Sequence, residues 1–239
     1  MVLSRPARAA ITGLVLAAGS GERLHQESKA FLSWRAEPLL AHVIRKMLPV
    51  CGIVLVGLRE SDMEHAAPLL QAAADEHDAD VTAVAGGIAR RDTLLSLVLQ
   101  ARTEWVVLHD VARPFAESKL FADVAAAASE CGAASAAAHL RVRDGMAVHA
   151  EGFVEHVVPS SALASIHTPQ ACRTAWLREA LLDDTPEHAR EQNVAALLRA
   201  HGHPVRIVWG TRDNVKITYP EDLQLLGSPK KERGAQAGD

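Results

Sequence analysis

The sequence lacks the features that mark several classes of protein. It has no excess of positive charge, since 25 Lys and Arg stand against 29 Asp and Glu for a net charge of −4, so a polynucleotide-binding surface is not expected. No stretch reaches the roughly 18–20 uninterrupted apolar residues of a transmembrane helix. Even the alanine-rich stretch 121–140 is broken by Asp123, Glu130 and Gly132. We therefore expect neither a nucleic-acid partner nor a membrane partner.

Cysteine is also scarce. Cys51, Cys131 and Cys172 are odd in number and widely spaced, which argues against the disulfide framework of a small secreted protein. Residues 5–18 mimic a secretion signal, with two arginines before a short apolar run, but the run contains Gly13 and leads into a charged turn. Reduced thiols and this turn favour a cytoplasmic protein.

Apolar sequence is abundant, at 49% of 239 residues, and it is arranged in alternating strand and helix patterns. Short apolar runs predict buried strands at residues 11–18, 52–58, 80–86, 104–110 and 132–140. Apolar residues at helical spacing predict helices at residues 38–48, 61–77, 90–101 and 117–130. This alternation predicts an α/β fold with a doubly wound, largely parallel sheet that helices cover on both faces.

The pattern changes over residues 141–158. Short alternating runs there flank a turn-like segment, which predicts a β-hairpin arm that projects from the sheet. The last predicted elements are helices at residues 174–184 and 187–202 and a strand at residues 204–210. Residues 228–239 are polar and are predicted to form a disordered tail. We interpret residues 1–239 as a single domain.

Ligands of such a sheet bind at the carboxyl ends of its strands. The first predicted strand leads into small residues and then two cations: Ala17, Ala18, Gly19, Gly21, Arg23 and Lys29. Small residues let backbone amides approach an anion or a base closely. The stretch lacks the Gly-Lys-Ser/Thr ending of a P-loop, and Leu24 stands where a dinucleotide fingerprint has its third glycine. It indicates a different kind of phosphate or nucleotide site, with an ordinary strand-to-helix turn as the alternative.

A carboxylate follows the predicted strand 104–110 at its carboxyl end. Asp110 could hold Mg²⁺ against phosphate oxygens, since Mg²⁺ commonly takes one or two carboxylates together with phosphates and waters. Arg113 offers a planar fork to a second phosphate. The alternative is a capping aspartate beside a surface arginine.

Two further segments are candidates for the same edge. Residues 86–93 begin with two glycines and end on a helix start, so they form either a lid over a base or a capped turn. Lys216 lies between Val215 and Ile217, and this alternation would turn it away from the apolar face, toward either a phosphate or solvent.

Taken together, these segments resemble a known family. The blocks AAGSGERL with Lys29, GG followed by RRDT, HDVARPF, HTPQ and NVKITYPEDL are similar, in the same order, to those of 2-C-methyl-D-erythritol 4-phosphate cytidylyltransferases. The resemblance runs from about residue 11 to residue 226. It implies a Rossmann-like nucleotidyltransferase fold and an enzyme that joins CTP to methylerythritol phosphate, with release of pyrophosphate, in non-mevalonate isoprenoid biosynthesis.

The resemblance also implies roles for individual residues. The backbone cradle for CTP is matched by Ala17, Ala18, Gly19 and Gly21. The catalytic charges are matched by Arg23 and Lys29 on the triphosphate, by Asp110 near the ribose and Mg²⁺, and by Lys216. Positions near the cytosine are matched by Gly87 and Thr93. Groups that meet the acceptor phosphate are matched by Arg113, Thr168 and Lys216.

The acceptor half departs from the family pattern. Gly145 stands where the family favours Thr, and Ser160 stands where it favours Arg. The family forms homodimers in which the arm of one subunit completes the partner's site, so we expect a homodimer through the segment 141–158. The altered positions leave two alternatives open: transfer to another polyol phosphate such as ribitol 5-phosphate, or a catalytically silent nucleotide-binding regulatory protein.

Overall fold

The computed structural model describes residues 6–19, 28–140, 146–183, 185 and 193–227. The strands are β1 Ile11–Leu16, β2 Ser33–Trp34, β3 Glu37–Pro38, β4 Ile53–Leu58, β5 Asp80–Ala85, β6 Trp105–Asp110, β7 Ala133–His139, β8 Met146–Ala150, β9 Phe153–Val158, β10 Ala164–Arg173 and β11 Arg206–Trp209. The α-helices are α1 Leu39–Met47, α2 Met63–His77, α3 Arg90–Gln100, α4 Ser118–Cys131, α5 Thr174–Leu182, α6 Val194–Ala200 and α7 Gln224–Gly227. Short 3-10 helices cover Arg8–Ala10, Lys29–Phe31, Glu60–Asp62, Ser160–Ala162 and Pro220–Leu223.

Seven strands form the central sheet in the order β11-β7-β10-β6-β1-β4-β5. Strands β6, β1, β4 and β5 run parallel to one another, as does β11 to β7, whereas β10 is antiparallel to both β6 and β7. Helices cover both faces. The predicted α/β fold with a largely parallel sheet is therefore confirmed.

The sheet separates two apolar layers because side chains alternate along each strand. In β1, Ile11 and Val15 belong to the layer that contains α1, α2 and α4, whereas Leu14 and Leu16 belong to the layer that contains α3, α5 and α6. Both layers bury the strand completely, since all of β1 is inaccessible to solvent or nearly so. The run that read as one apolar block in the sequence is thus divided between two cores.

Strand β10 is an element that the sequence analysis missed. Its segment ASIHTPQACR has no alternating pattern, and its pairing with β7 shifts register between His167 and Gln170. Pro169, in a cis peptide bond with Thr168, occupies this irregularity, where a residue without a backbone N–H is tolerated. The strand nevertheless lies in the middle of the sheet, between β6 and β7.

The segment predicted as a hairpin contains β8 and β9, which pair antiparallel in a two-stranded sheet of their own. The turn between them places Glu151 and Gly152 at φ of 50° and 85°, as two-residue hairpin turns require. Apolar side chains on these strands are exposed, among them Phe153 at 78% and Val157 at 66%. Residues 141–145, including Gly145, lie outside the described residues, and the role of the hairpin as an arm stays a prediction.

Other expectations concern single residue types. All three cysteines are free, and burial raises the pKa of the Cys172 thiol to about 12. None of the described helices combines the length and apolarity that crossing a bilayer would require. The tail at residues 228–239 lies outside the described residues.

Candidate active site

A cleft of about 750 Å³ lies at the carboxyl edge of the parallel strands. The residues that follow β1, β4, β5 and β6 line it, together with Lys29, Lys216 and Thr218. Among the described lining residues are four cations, Lys29, Arg59, Arg90 and Lys216, and one carboxylate, Asp110. The cleft is therefore built to receive a negatively charged ligand.

The loop after β1 supplies the small residues of the cleft. Ala17, Ala18 and Gly19 all line it, and the Ala17 amide donates to the carbonyl of Gly57 at 2.9 Å. A Cβ at Gly86 would come within 2.5 Å of the Ala18 Cβ, so glycine is required for this close approach. The predicted cradle residues Ala17, Ala18 and Gly19 thus lie together. Gly21 and Arg23 lie outside the described residues.

The glycine-rich turn after β5 forms the neighbouring wall. Thr93, buried in the first turn of α3, accepts from the Gly87 amide at 3.1 Å. Asp92 accepts from the Ala89 amide at 2.9 Å, and a Cβ at Gly87 would collide with Asp92. The turn is therefore fixed by capping contacts that only glycine accommodates, and both predicted base-side residues, Gly87 and Thr93, line the cleft.

Asp110 ends β6 with its side chain only 10% exposed. Its Oδ1 accepts from Arg90 Nη2 at 3.0 Å and from Arg90 Nε at 3.2 Å, and its Oδ2 lies 3.1 Å from Lys216 Nζ. Burial alone would raise the pKa of the Asp110 carboxyl, but the charges of Arg90, Lys216 and Arg113 outweigh it and hold the pKa well below its usual range. Asp110 is therefore a permanent anion in a basic cleft.

The two predicted lysines, Lys29 and Lys216, both line the cleft, and Lys29 contacts the segment that carries Lys216. Lys29 Nζ donates to the carbonyl of Ile217 at 2.9 Å. The Ile217 amide donates to the carbonyl of Ala112 at 2.8 Å, and its side chain is fully buried. Lys216 points instead into the cleft, so the predicted alternation holds although no strand forms there.

Arg113 and Thr168 lie beside Asp110 rather than on the cleft wall. Arg113 Nη1 donates to the carbonyl of Asn214 at 2.7 Å, and Asn214 Nδ2 donates to the carbonyl of Thr168 at 2.7 Å. The Asp110 amide donates to Thr168 Oγ1 at 3.2 Å. These contacts fix the backbone of Asp110, and the acceptor-binding roles of Arg113 and Thr168 stay predictions.

Ser160 is not brought to the cleft within the chain. It lies exposed in the 3-10 helix Ser160–Ala162 that follows β9 and is absent from the described cleft lining. The structure thus brings the described residues predicted for the nucleotide half, Ala17, Ala18, Gly19, Lys29, Gly87, Thr93 and Asp110, to one cleft, and leaves this acceptor-half position on the surface.

Sequence reasoning missed two cations of the cleft. Arg90 begins α3, and Arg59 follows β4 with its fork held by Asp62 at 2.8 and 2.9 Å. Both positions immediately follow or begin an element at the carboxyl edge, which is the signal that could have identified them.

The donor set of the cleft fits a magnesium ion that is shared with a substrate. Asp110 offers a hard oxygen ligand, and no group of three His, Cys, Asp or Glu side chains suited to hold a metal occurs within the described part of the chain. Magnesium usually binds one or two carboxylates and completes its shell with phosphates and waters. Asp110 would therefore hold the ion together with phosphate groups.

Cations surround the single carboxylate, while no serine or cysteine nucleophile lines the described cleft. Such a site suits binding and polarising phosphates, as a nucleotidyltransferase on a doubly wound sheet must do. The family model described as 2-C-methyl-D-erythritol 4-phosphate cytidylyltransferase matches residues 11–227. The chain belongs to this family of cytidylyltransferase enzymes.

Individual relatives agree over nearly the whole chain. A 2-C-methyl-D-erythritol 4-phosphate cytidylyltransferase of Aquifex aeolicus is 34% identical over 215 residues, which cover 90% of this chain and 95% of the relative. The crystal structure of the Thermus thermophilus enzyme of that name is 30% identical, with a TM-score of 0.70 and coverage of 94% and 97%. A 4-diphosphocytidyl-2C-methyl-D-erythritol synthase structure from Anaerococcus prevotii, at 19% identity and a TM-score of 0.76, covers 92% and 97% and supports the fold.

Proposed function

We propose that the protein transfers the cytidylyl group of CTP to 2-C-methyl-D-erythritol 4-phosphate, in the non-mevalonate route to isoprenoids. The observation that carries the proposal is that Lys29, Asp110 and Lys216 meet in one cleft of a chain that belongs to this family. The match at 34% identity over 90% of the chain supports the same substrates.

The reaction needs no general base from the protein. A phosphate monoester is largely dianionic at neutral pH, since its second pKa is about 6. One of its oxygens attacks the α-phosphorus of CTP, a new P–O bond forms, and the bond from the α-phosphorus to the bridging oxygen breaks. Pyrophosphate leaves with that oxygen and its electron pair. The protein must therefore position the reactants and stabilise charge.

The described residues divide these tasks by position. Ala18 and Gly19 would present backbone amides to the nucleotide, while Ala17, whose amide donates to the carbonyl of Gly57, would shape the cradle. Lys29 would contact the triphosphate, as would Arg23, which lies outside the described residues. Gly87 and Thr93 would lie beside the cytosine. Lys216, which lines the cleft next to Asp110, would orient the acceptor phosphate with Arg113 and Thr168.

Nucleotidyltransferases of this family generally use a divalent cation, and we propose Mg²⁺ held by Asp110. When bound, the ion would neutralise phosphate oxygens as pyrophosphate develops its charge. Asp110 is suited to this role because it stays ionised and because its backbone is fixed by Thr168.

We also propose a homodimer through the hairpin. Strand β9 exposes Phe153, Val154 and Val157 at 65–78%, and β8 exposes Met146 and Val148 at 41–42%. An isolated two-stranded hairpin is marginal in water. In such a dimer, the hairpin of one subunit would also bring Ser160 and Gly145 toward the cleft of the partner subunit. Three free cysteines are in keeping with a cytoplasmic location, which we propose for the enzyme.

The test is pyrophosphate release from CTP with a panel of polyol phosphates. We expect release with methylerythritol phosphate in the presence of Mg²⁺, and formation of the CDP-linked product by mass spectrometry. Release with ribitol 5-phosphate alone would reassign the acceptor. A folded protein that releases pyrophosphate with none of the panel would be a nucleotide-binding protein without this activity.

A further inference from the structure

Both oxygens of Asp110 are engaged by cations of the protein itself. Arg90 donates twice to Oδ1, at 3.0 and 3.2 Å, while Lys216 Nζ lies 3.1 Å from Oδ2. Two positive side chains thus surround one negative charge. The carboxylate that would bind a divalent cation is already neutralised by the protein.

The surroundings make this interaction strong. The side chains of Arg90 and Asp110 are 24% and 10% exposed, and partly buried charges are screened by salt less than surface charges. No second carboxylate is found among the described residues that line the cleft. Without a nucleotide, the positive charges of Arg90 and Lys216 would repel a divalent cation, and Asp110 is the one carboxylate among the described lining residues that would attract it.

We propose that Arg90 is the resident counter-ion of Asp110 and keeps a divalent cation from binding there before the nucleotide. A nucleotide triphosphate brings the negative charge that the cleft lacks, so the cation binds well only in its company. Arg90 is then a positioning residue, which acts on the cation through Asp110. The choice of nucleotide rests on the proposed function, whereas the behaviour of the cation alone does not.

Arg91 provides a matched control on the same helix. Its Nη2 donates at 2.9 Å to the carbonyl oxygens of Leu181 and Asp183, so its guanidinium packs on the layer of α5 and makes no described contact with Asp110. A change at Arg91 removes the same charge from α3 without removing the counter-ion of Asp110.

The experiment is a Mn²⁺ titration of the whole protein without nucleotide, in which electron paramagnetic resonance measures the concentration of free Mn²⁺. Removing one partly buried positive charge beside the ligand should tighten Mn²⁺ binding of Arg90→Gln by about tenfold or more relative to wild type. Arg90→Lys and Arg91→Gln should bind as weakly as wild type. Adding Asp110→Asn to Arg90→Gln should abolish the gain. With an α,β-methylene analogue of CTP, which binds Mn²⁺ by itself, wild type should lower the free Mn²⁺ below the level that the same analogue gives without protein.

Two outcomes would overturn the inference. One is a folded Arg90→Gln protein, verified by circular dichroism, that binds Mn²⁺ no more tightly than wild type. The other is wild type that, with the analogue present, lowers the free Mn²⁺ no further than the analogue and the protein do separately. If Arg90→Gln does not fold, Arg90→Met supplies the same loss of charge with a similar volume. If the proposed function is wrong, no acceptor would support turnover, but the tighter Mn²⁺ binding of Arg90→Gln without nucleotide would still be observed.

Discussion

Asp110 and Lys216 come from distant parts of the chain, and their side chains pair at 3.1 Å. Asp110 ends the central strand β6, whereas Lys216 lies in the segment that follows β11 and lines the cleft. The pair therefore joins the nucleotide side of the cleft to the side that we assign to the acceptor.

The first prediction concerns Lys29. Lys29→Ala should lower kcat by about 10²-fold or more with the fold intact, because a preorganised charge acts on the transition state. Arg23→Ala should behave in the same way. Lys119→Ala is the control, since Lys119 is 80% exposed on α4 and pairs with Asp123. Steady-state release of pyrophosphate measures all three, and a near wild-type rate for Lys29→Ala would contradict the assignment.

The second prediction concerns assembly. Deletion of residues 143–157, or Phe153→Glu with Val157→Glu, should convert a dimer into a monomer that still binds CTP weakly, because charge on the exposed apolar strands opposes burial against a partner. Leu99→Glu changes an exposed leucine elsewhere and should leave the dimer intact. Sedimentation velocity at micromolar concentration measures the oligomeric state of wild type and of each variant. A monomeric wild type would refute the proposed dimer.

The central sheet was predictable because its strands are short apolar blocks with clear ends. Strand β10 was not, since HTPQ is polar, contains Pro169, and owes its place to pairing with β6 and β7 from distant parts of the chain. Local pattern carries no information about such pairing. Burial and partners, rather than periodicity, determine β10.

The site divides in the same way. Asp110 was predictable because it directly follows an apolar run, and Lys216 because its neighbours are apolar. Arg90 was missed, since an arginine at a helix start is ordinarily solvated, and only the fold brings it to 3.0 Å from Asp110. Lys216 stood out because its immediate neighbours are apolar, whereas the neighbours of Arg90 in the sequence are polar or small and give no such signal.

The third prediction concerns backbone strain between β2 and β3. Arg35 and Ala36 have φ of 54° and 64°, in a two-residue turn that favours glycine at its second position. Ala36→Gly should raise the free energy of unfolding by about 0.5–1 kcal/mol, because relief of the left-handed strain exceeds the entropy that glycine adds to the unfolded chain. Ala36→Val should lower it. Urea denaturation, monitored by tryptophan fluorescence, measures the free energy of unfolding. A lower value for Ala36→Gly than for wild type would contradict the prediction.

The fourth prediction concerns pH. Burial, aided by the charge of Arg113, lowers the pKa of His167 from 6.5 to about 4. Between these values the unfolded chain binds the proton and the folded protein does not, so stability is lost as pH falls from about 6.5 toward 4. His167→Gln should therefore lose less stability than wild type between pH 7.5 and pH 5, measured as the urea midpoint. His149→Gln, on the exposed strand β8, should follow wild type, and an equal loss in all three would refute the assignment.

The last prediction concerns the acceptor half. Ser160 lacks the charge-assisted phosphate contact of an arginine, which is worth roughly 1.5–3 kcal/mol, and Gly145 lacks a hydroxyl. If methylerythritol phosphate is the acceptor, its KM should be high, and Gly145→Thr with Ser160→Arg should lower it by about tenfold or more. The KM of CTP should not change, since the nucleotide side of the cleft is formed by other elements.

The control for this double change is Ser161→Arg, which adds the same charge to the exposed helix Ser160–Ala162 one position away. It should leave the KM of methylerythritol phosphate within about twofold of wild type, because a surface charge that does not reach the phosphate contributes little. A KM that falls equally in both variants would indicate general electrostatic attraction. If the double change instead impairs the native reaction with another polyol phosphate and improves that with methylerythritol phosphate, Gly145 and Ser160 select a different acceptor.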